Sequence, residues 1–309
     1  MKIDYTPQFG FKDVLIRPKV SITTESQVCL EREFVFPNTK TTWHGVPIFA
    51  SMGTGTFEGY DVLSEFKMVT CFNKFYTISD FENRILEKEI NPEYFMISTG
   101  IQESEFANLY DIIKLTNAKW ICVDVDNGYM KNVVTYCSKL RESFPDKIIV
   151  AGNVATKDMV EELIINGGVD VVKIGSDTCL TRKTGVGVPQ LSAIIDCADG
   201  AHGCDGYIIG SDGITCPGDM AKAFGGGADF VMMGQIENPG EINKLSTEHA
   251  RNKHSKMENY KSPEGKIPYR GKLEDTVRDY LGGLRSTCAY INANNIKYIP
   301  KFTTFLMAP

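Results

Sequence analysis

No apolar run in the 309 residues approaches the ~20 that a membrane-crossing helix needs. The opening Met1-Lys2-Ile3-Asp4-Tyr5 also carries no secretory apolar region, so a cytoplasmic location is expected. Basic residues are in deficit: 33 Lys and Arg stand against 39 Asp and Glu, a net charge of −6. Neither nucleic acid nor an anionic membrane is therefore an expected partner, and any anionic ligand must be held locally. The four histidines, His44, His202, His249 and His254, show no metal-ligand spacing, which predicts no catalytic transition metal. Nine cysteines, an odd number without a Cys-x-x-Cys pair, predict reduced thiols and no disulfide framework.

What the chain does have is rhythm. Eight short β-branched runs recur roughly every 25 residues, the spacing of βα units in a parallel sheet. They are Val46–Ser51, Met68–Phe72, Tyr94–Thr99, Trp120–Val125, Lys147–Gly152, Val169–Gly175, Gly206–Ser211 and Asp229–Gly234. Several are apolar at nearly every position, as strands covered on both faces are. Amphipathic stretches such as Ile78–Ile90, and Lys157–Ile165 after the N-cap candidate Thr156, read as crossover helices. The pattern predicts an α/β fold, a single-domain (β/α)8 TIM barrel, over an open doubly wound sheet, and the length accommodates one. Residues 1–45 precede the first strand and read as an N-terminal cap over the barrel base or edge. The polar residues 236–272 read as a flap after strand eight or as a surface insertion without function, and 274–293 as a closing helix.

Chemistry-bearing residues gather just past the strand ends, where a barrel of this kind builds its site. Cys179 lies on a glycine-bearing loop after the sixth run, with Arg182 and Lys183 able to favour its thiolate. The alternative is a small buried hydrophobe without chemistry. Met52, Lys74, Ser98-Thr99-Gly100, Asp124, Asn127-Gly128, Asn153, Asp212-Gly213 and Gly234 occupy equivalent positions. Asp212 could accept ribose hydroxyls, while Gly213, Gly234 and the helix start Pro217-Gly218-Asp219 could cradle a phosphate. These glycines could equally serve only to permit tight turns.

Several segments in one order give the chain a specific likeness. They include Asp124-x-x-Asn127-Gly128-Tyr129, Ala151-Gly152-Asn153-Val154, Cys179-x-Thr181-Arg182-x-Thr184-Gly185-Val186-Gly187, Pro217-Gly218-Asp219, Glu264-Gly265-Lys266 and Gly282-Gly283-x-Arg285-Ser286-Thr287-Cys288. Together they resemble the family of IMP dehydrogenase and GMP reductase over nearly the whole chain. The flap stretch Asn259-Tyr260-Lys261-x-x-Glu264 is nearer the reductase side, and the Arg-Tyr pair with which the dehydrogenase activates water is not evident.

The resemblance implies NADPH-dependent reductive deamination of GMP to IMP and ammonia. Cys179 would be the nucleophile at purine C2, with Thr181 and Glu264 handling protons. Met52, Asp212, Gly213, Gly234, Leu245, Ser246 and Lys261 would bind substrate. Lys74, Ser98, Thr99, Gly100, Asp124, Asn127, Gly128 and Asn153 would line the cofactor groove, although Asp124 could instead be a structural strand-end acid. A monovalent cation (K+) near Gly175 and Cys179 and a homotetramer are also implied. The chain departs from the family pattern in shorter loops at Ser51–Gly55 and Gly175–Thr178, and in Gln235 where a second glycine is expected. A weakly active or inactive nucleotide-binding paralogue, and less so an IMP dehydrogenase, are the alternatives.

Overall fold

A computed structural model describes residues 3–51, 56–175, 181, 184–233 and 272–308. The chain enters through a short strand β1 (Val14–Ile16), then a hairpin of β2 (Arg32–Phe36) and β3 (Thr41–Gly45). Eight strands follow: β4 (Ile48–Ala50), β5 (Val69–Phe72), β6 (Phe95–Thr99), β7 (Trp120–Asp124), β8 (Ile148–Val154), β9 (Val171–Ile174), β10 (Tyr207–Gly210) and β11 (Phe230–Met233). They are parallel to their neighbours and close on themselves, β11 pairing with β4. Each of the eight expected runs is one of these strands, its ends within two residues of the expected bounds. Helices cover the outside, among them Ile78–Glu87, Lys157–Ile165, Gln190–Gly203, Pro217–Gly225 and Leu273–Tyr290. The last strand, β12 (Phe305–Met307), pairs antiparallel with β1. Among the described residues no helix is long and apolar enough to cross a membrane.

Two cores result from the pleat, because successive side chains alternate between the lumen and the helical shell. Phe49, Val69, Met96, Trp120, Val150, Val171, Ile209 and Phe230 point inward, while Ile48, Ile97, Ile121, Ile149, Val172, Ile208 and Val231 meet the helices. The hairpin joins the inner set. Phe34, Phe36 and Trp43 are buried against the N-terminal ends of the strands. Phe34 stacks on Phe230 at 4.1 Å between ring centroids, Trp43 meets Trp120 edge-on at 5.5 Å, and the Trp43 indole N–H donates to the Glu93 carbonyl at 2.9 Å. Aromatic bulk thus fills the lower lumen, leaving polar side chains to the opposite end.

Polar contacts tie the hairpin to the barrel wall. Buried Asp229 accepts from Arg32 of β2 at 3.2 Å, from the Ile208 N–H at 3.1 Å, and lies 2.8 Å from His202 Nε2. The hydrogen bond with Asp229 raises the His202 pKa above its ordinary 6.5, against an opposing effect of burial. Protonated His202 therefore stabilises the fold fully below about pH 6.5, and that contribution is lost as the pH rises through the higher folded-state value. His202 is 46% exposed, so screening keeps the effect to a few tenths of a kcal/mol (order of magnitude). In urea titrations the stability gap between wild type and His202→Gln should be widest near about pH 6 and narrow on going alkaline. A gap that widens with pH would contradict this pairing.

Candidate active site

Following ladder partners around the barrel shows how the lumen changes character. Cys71 pairs with Met96 and Met96 with Trp120. A stagger of about one residue per strand puts Cys122 level with Cys71. The same steps, through Val150 and Val171 and then Ile209 and Phe230, bring Lys173 and Met232 to that level. Above the aromatic plug, then, sits a layer of two thiols, one ammonium and a thioether. The next inward positions by pleat are Ser51, Ser98, Gly152 and Ser211, and above them Asp124 ends β7. Polarity therefore rises steadily toward the C-terminal ends of the strands.

Lys173 is the charged member of the thiol layer, its side chain 3% exposed, and its Nζ is paired with Asp124 Oδ1. Burial alone would lower its pKa; the neighbouring Cys122 and Asp124 outweigh that and leave the ammonium above its ordinary value. The Cys71 thiol lies 3.2 Å from the Ser98 hydroxyl, and burial pushes its pKa well up. Burial likewise pushes Cys137, Cys197 and Cys288 to about 12. These four thiols stay protonated at neutral pH and are poor nucleophiles.

At the rim, several expected site residues are bound into one scaffold. The Asn127 side chain accepts from the Tyr129 N–H at 3.1 Å, closing the turn after β7. Gly128 donates to the Asn153 carbonyl at 3.1 Å, and a Cβ there would lie 2.6 Å from Val154. Only glycine lets this turn sit so close. Val125 exchanges backbone bonds with Gly152 and Asn153, at 3.0 and 2.9 Å. Asn153 Oδ1 is buried without a hydrogen-bond partner among the described residues, an acceptor available to a ligand's N–H or hydroxyl.

Lys74 and Gly100 meet through Glu105, which none of the expectations included. Its carboxylate lies 3.0 Å from Lys74 Nζ, accepts from the Gln102 N–H at 3.0 Å, and occupies the space where a Gly100 Cβ would stand. Thr99 faces the other way. Its hydroxyl lies 3.2 Å from the Tyr136 hydroxyl on the helical side and donates to the Gly100 carbonyl at 3.1 Å, so only its backbone can reach the rim.

The loop expected to carry the nucleophile leaves β9 from a firmly held point. The Ile174 carbonyl accepts from the Ser211 N–H (3.0 Å), the Ser211 hydroxyl (2.9 Å) and the Gln190 side-chain amide (2.9 Å). Gly175 follows, and a Cβ there would press on Asp212 and Ser211 at 2.9 Å. The Gly185 N–H donates back to the Thr181 carbonyl at 2.8 Å. On the neighbouring loop the Gly213 N–H donates to Asp212 Oδ1 at 2.9 Å, with Gly213 at φ +71°. The helix Pro217–Gly225 begins as expected, Asp219 accepting from the Thr215 N–H and hydroxyl. Gly283 lets the Leu273–Tyr290 helix approach Pro217, where a Cβ would come within 2.4 Å. Met52, Cys179, Gly234, Leu245, Ser246, Lys261 and Glu264 lie outside the described residues.

Residues 93–308 match the IMP dehydrogenase / GMP reductase domain. The chain belongs to this family. Similar full-length relatives include the GMP reductase of Aeromonas hydrophila, 46% identical over 337 aligned positions that cover 99% of this chain and 96% of that protein. The GMP reductase of Aeromonas salmonicida is 45% identical with the same coverage, and that of Aliivibrio fischeri 44%. These alignments are longer than the 309 residues here, so this chain lacks residues that those relatives carry.

Lys173 and Glu105 escaped the sequence reading. The signal for Lys173 was present: a lone charge inside Val171-Val172-Lys173-Ile174, where a strand covered on both faces otherwise tolerates only apolar residues. Glu105 had no such signal, since an acid in the first turn of a helix is commonplace.

Proposed function

We propose that this protein is an NADPH-dependent GMP reductase, converting GMP to IMP and ammonia. The observation that carries the reading is full-length similarity to proteins named GMP reductase. It is supported by a barrel whose polar residues collect at the C-terminal strand ends. In this reading Cys179, as thiolate, attacks purine C2. The exocyclic amine takes a proton by way of Thr181 and Glu264 and leaves as ammonia, and the sulfur stays bonded to C2 as a thioimidate. NADPH, when bound, supplies the hydride that C2 needs. Breaking the S–C2 bond then returns the electron pair to sulfur and releases IMP.

The residues present fit a nicotinamide cofactor. Asn153 offers a buried acceptor without a partner among the described residues, and Asp124 and the Asn127–Gly128 turn are held beside it. Ser98 and Gly100 border the same rim, with Lys74 placed over Gly100 by Glu105. On the substrate side Asp212 would receive the ribose hydroxyls and Gly213 and Gly234 the phosphate, with Met52, Leu245, Ser246 and Lys261 around the base. Gly175 and Cys179 would border the K+ site; the Gly175 N–H is already committed to the Val154 carbonyl at 3.0 Å, leaving its carbonyl as the candidate ligand. The reading also places the enzyme in the cytoplasm as a homotetramer.

Following NADPH absorbance with GMP present tests the activity. Consumption that requires GMP, with stoichiometric ammonia, supports it. GMP binding without consumption would favour a nucleotide-binding paralogue, and NAD+ reduction with IMP a dehydrogenase. Glu264→Gln should lower kcat by about 10²–10⁴-fold while GMP affinity stays within about twofold, because proton transfer matters to the reaction and not to the ground state. An equal loss of both would remove Glu264 from that role.

A further inference from the structure

We propose that Lys173 is a positioning residue for the cofactor-binding carboxylate, gripping Asp124 from beneath so that its outer edge faces the bound nicotinamide nucleotide. The inference rests on the cofactor reading of Asp124 given above, and adds to it a residue from a different strand.

An ammonium in the lumen of a barrel calls for a reason. A Leu or Met would fill the same position without desolvating a charge, and a buried ion pair is seldom better for stability than well-packed apolar side chains. The other members of the layer, Cys71, Cys122 and Met232, are two thiols and a thioether, and the layers below are apolar. Lys173 therefore fits a role directed upward, toward its partner. That partner is not buried to match: the Asp124 side chain remains 38% exposed at the mouth while Lys173 is 3% exposed. The pair thus runs from the dry interior to the wet rim, with its acidic end outermost.

The intervening strand is shaped to let this happen. Between β7 and β9 lies β8, and its residue level with Asp124 is Gly152. A Cβ on Gly152 would lie 2.5 Å from the Lys173 carbonyl oxygen and 2.7 Å from the Lys173 Cβ. Any side chain there would displace Lys173 or block its path to Asp124. Gly152 also receives the Val125 N–H, and the next residue, Asn153, donates to the Val125 carbonyl, so the backbone immediately after the carboxylate is clamped to β8. What the backbone cannot hold is the Asp124 side-chain torsion, and the ammonium at Oδ1 supplies that restraint. A carboxylate held by one oxygen can accept a ligand hydroxyl or amide on the other at little further entropic cost.

Coupling decides the matter. Lys173→Met, Asp124→Asn and the double variant are compared with wild type in NADPH affinity by fluorescence titration, in GMP affinity, and in thermal midpoint. If Lys173 acts through Asp124, each single change weakens NADPH about tenfold, the double variant is no weaker than the worse single one, and GMP affinity stays within about twofold. Independent losses that multiply to about a hundredfold in the double variant would overturn the proposal. So would Lys173→Met lowering only the thermal midpoint, or Asp124→Asn leaving NADPH affinity untouched in an enzyme that still reduces GMP. The last result would leave the proposed function standing, whereas absence of GMP-dependent turnover in wild type would remove that function and still leave the coupling readable in cofactor binding. Should Lys173→Met not fold, Lys173→Gln, which keeps a hydrogen-bond donor without the charge, takes its place with the same expectations. Failure of both to fold would assign the pair to stability and overturn the proposal.

Discussion

Replacing Cys179 by alanine should reduce GMP-dependent NADPH consumption by a factor on the order of 10⁴ or more, with GMP affinity held within a few-fold. The split follows from the role proposed for sulfur. It contributes a bond at purine C2 that exists only once reaction has begun, so its loss falls on kcat. Ribose and phosphate contacts are left alone. The buried thiols are poorly placed to substitute. Cys71, Cys137, Cys197 and Cys288 are buried, with pKa values pushed up by burial, and Cys122 is buried beneath the rim in the Lys173 layer. Steady-state rates and equilibrium GMP binding on the same preparation make the comparison. In wild type quenched during turnover, mass spectrometry should find the purine attached to the peptide carrying Cys179. Residual activity above about a tenth of wild type would mean that another group attacks C2, or that no covalent step occurs.

Trp43→Ala is expected to have the largest effect on stability, a loss of about 3–5 kcal/mol and a thermal midpoint lower by roughly 5–8 °C. Trp43 is fully buried, packs against Phe34, Phe49, Trp120 and Phe230, and satisfies the Glu93 carbonyl through its indole N–H. Truncation would open a cavity among rings that the barrel wall cannot collapse to fill, and would take the indole donor from the part-buried Glu93 carbonyl. The damage lies at the opposite end of the lumen from the proposed site. Turnover measured well below the new midpoint should accordingly stay within about twofold of wild type. Chemical denaturation giving a loss below about 1 kcal/mol would mean that the hairpin only rests on the barrel and does not plug it.

The two effects belong to opposite ends of one tube, and the sequence revealed those ends unequally. Every barrel strand was legible because a strand covered on both faces must be apolar nearly throughout, a pattern that runs such as Trp120–Val125 and Met68–Phe72 display without help from neighbours. The family was legible too, since residues on separate loops recur in one order and the matched domain and full-length relatives bear that out. The hairpin was harder. Arg32–Phe36 and Thr41–Gly45 do alternate in burial, but each is five residues long, and nothing local says that the face of Phe34, Phe36 and Trp43 would enter a barrel mouth.

Side-chain direction marks the boundary between the two kinds of knowledge. Ser98 and Thr99 are consecutive strand-end hydroxyls that looked equivalent, yet the pleat sends Ser98 toward Cys71 in the lumen and Thr99 toward Tyr136 outside it. Lys173 and Asp124 stand 49 positions apart, and their pairing exists only because the closing stagger of the strands brings β9 level with β7 across a glycine. The amino-acid order by itself determined the eight-strand barrel, the family and the loops on which its chemistry is expected, because hydrophobic periodicity and motif spacing are local properties. Which face each of those residues presents, which charges meet, and which end of the lumen is closed were decided only by the tertiary structure, because they depend on the register at which distant strands lock together.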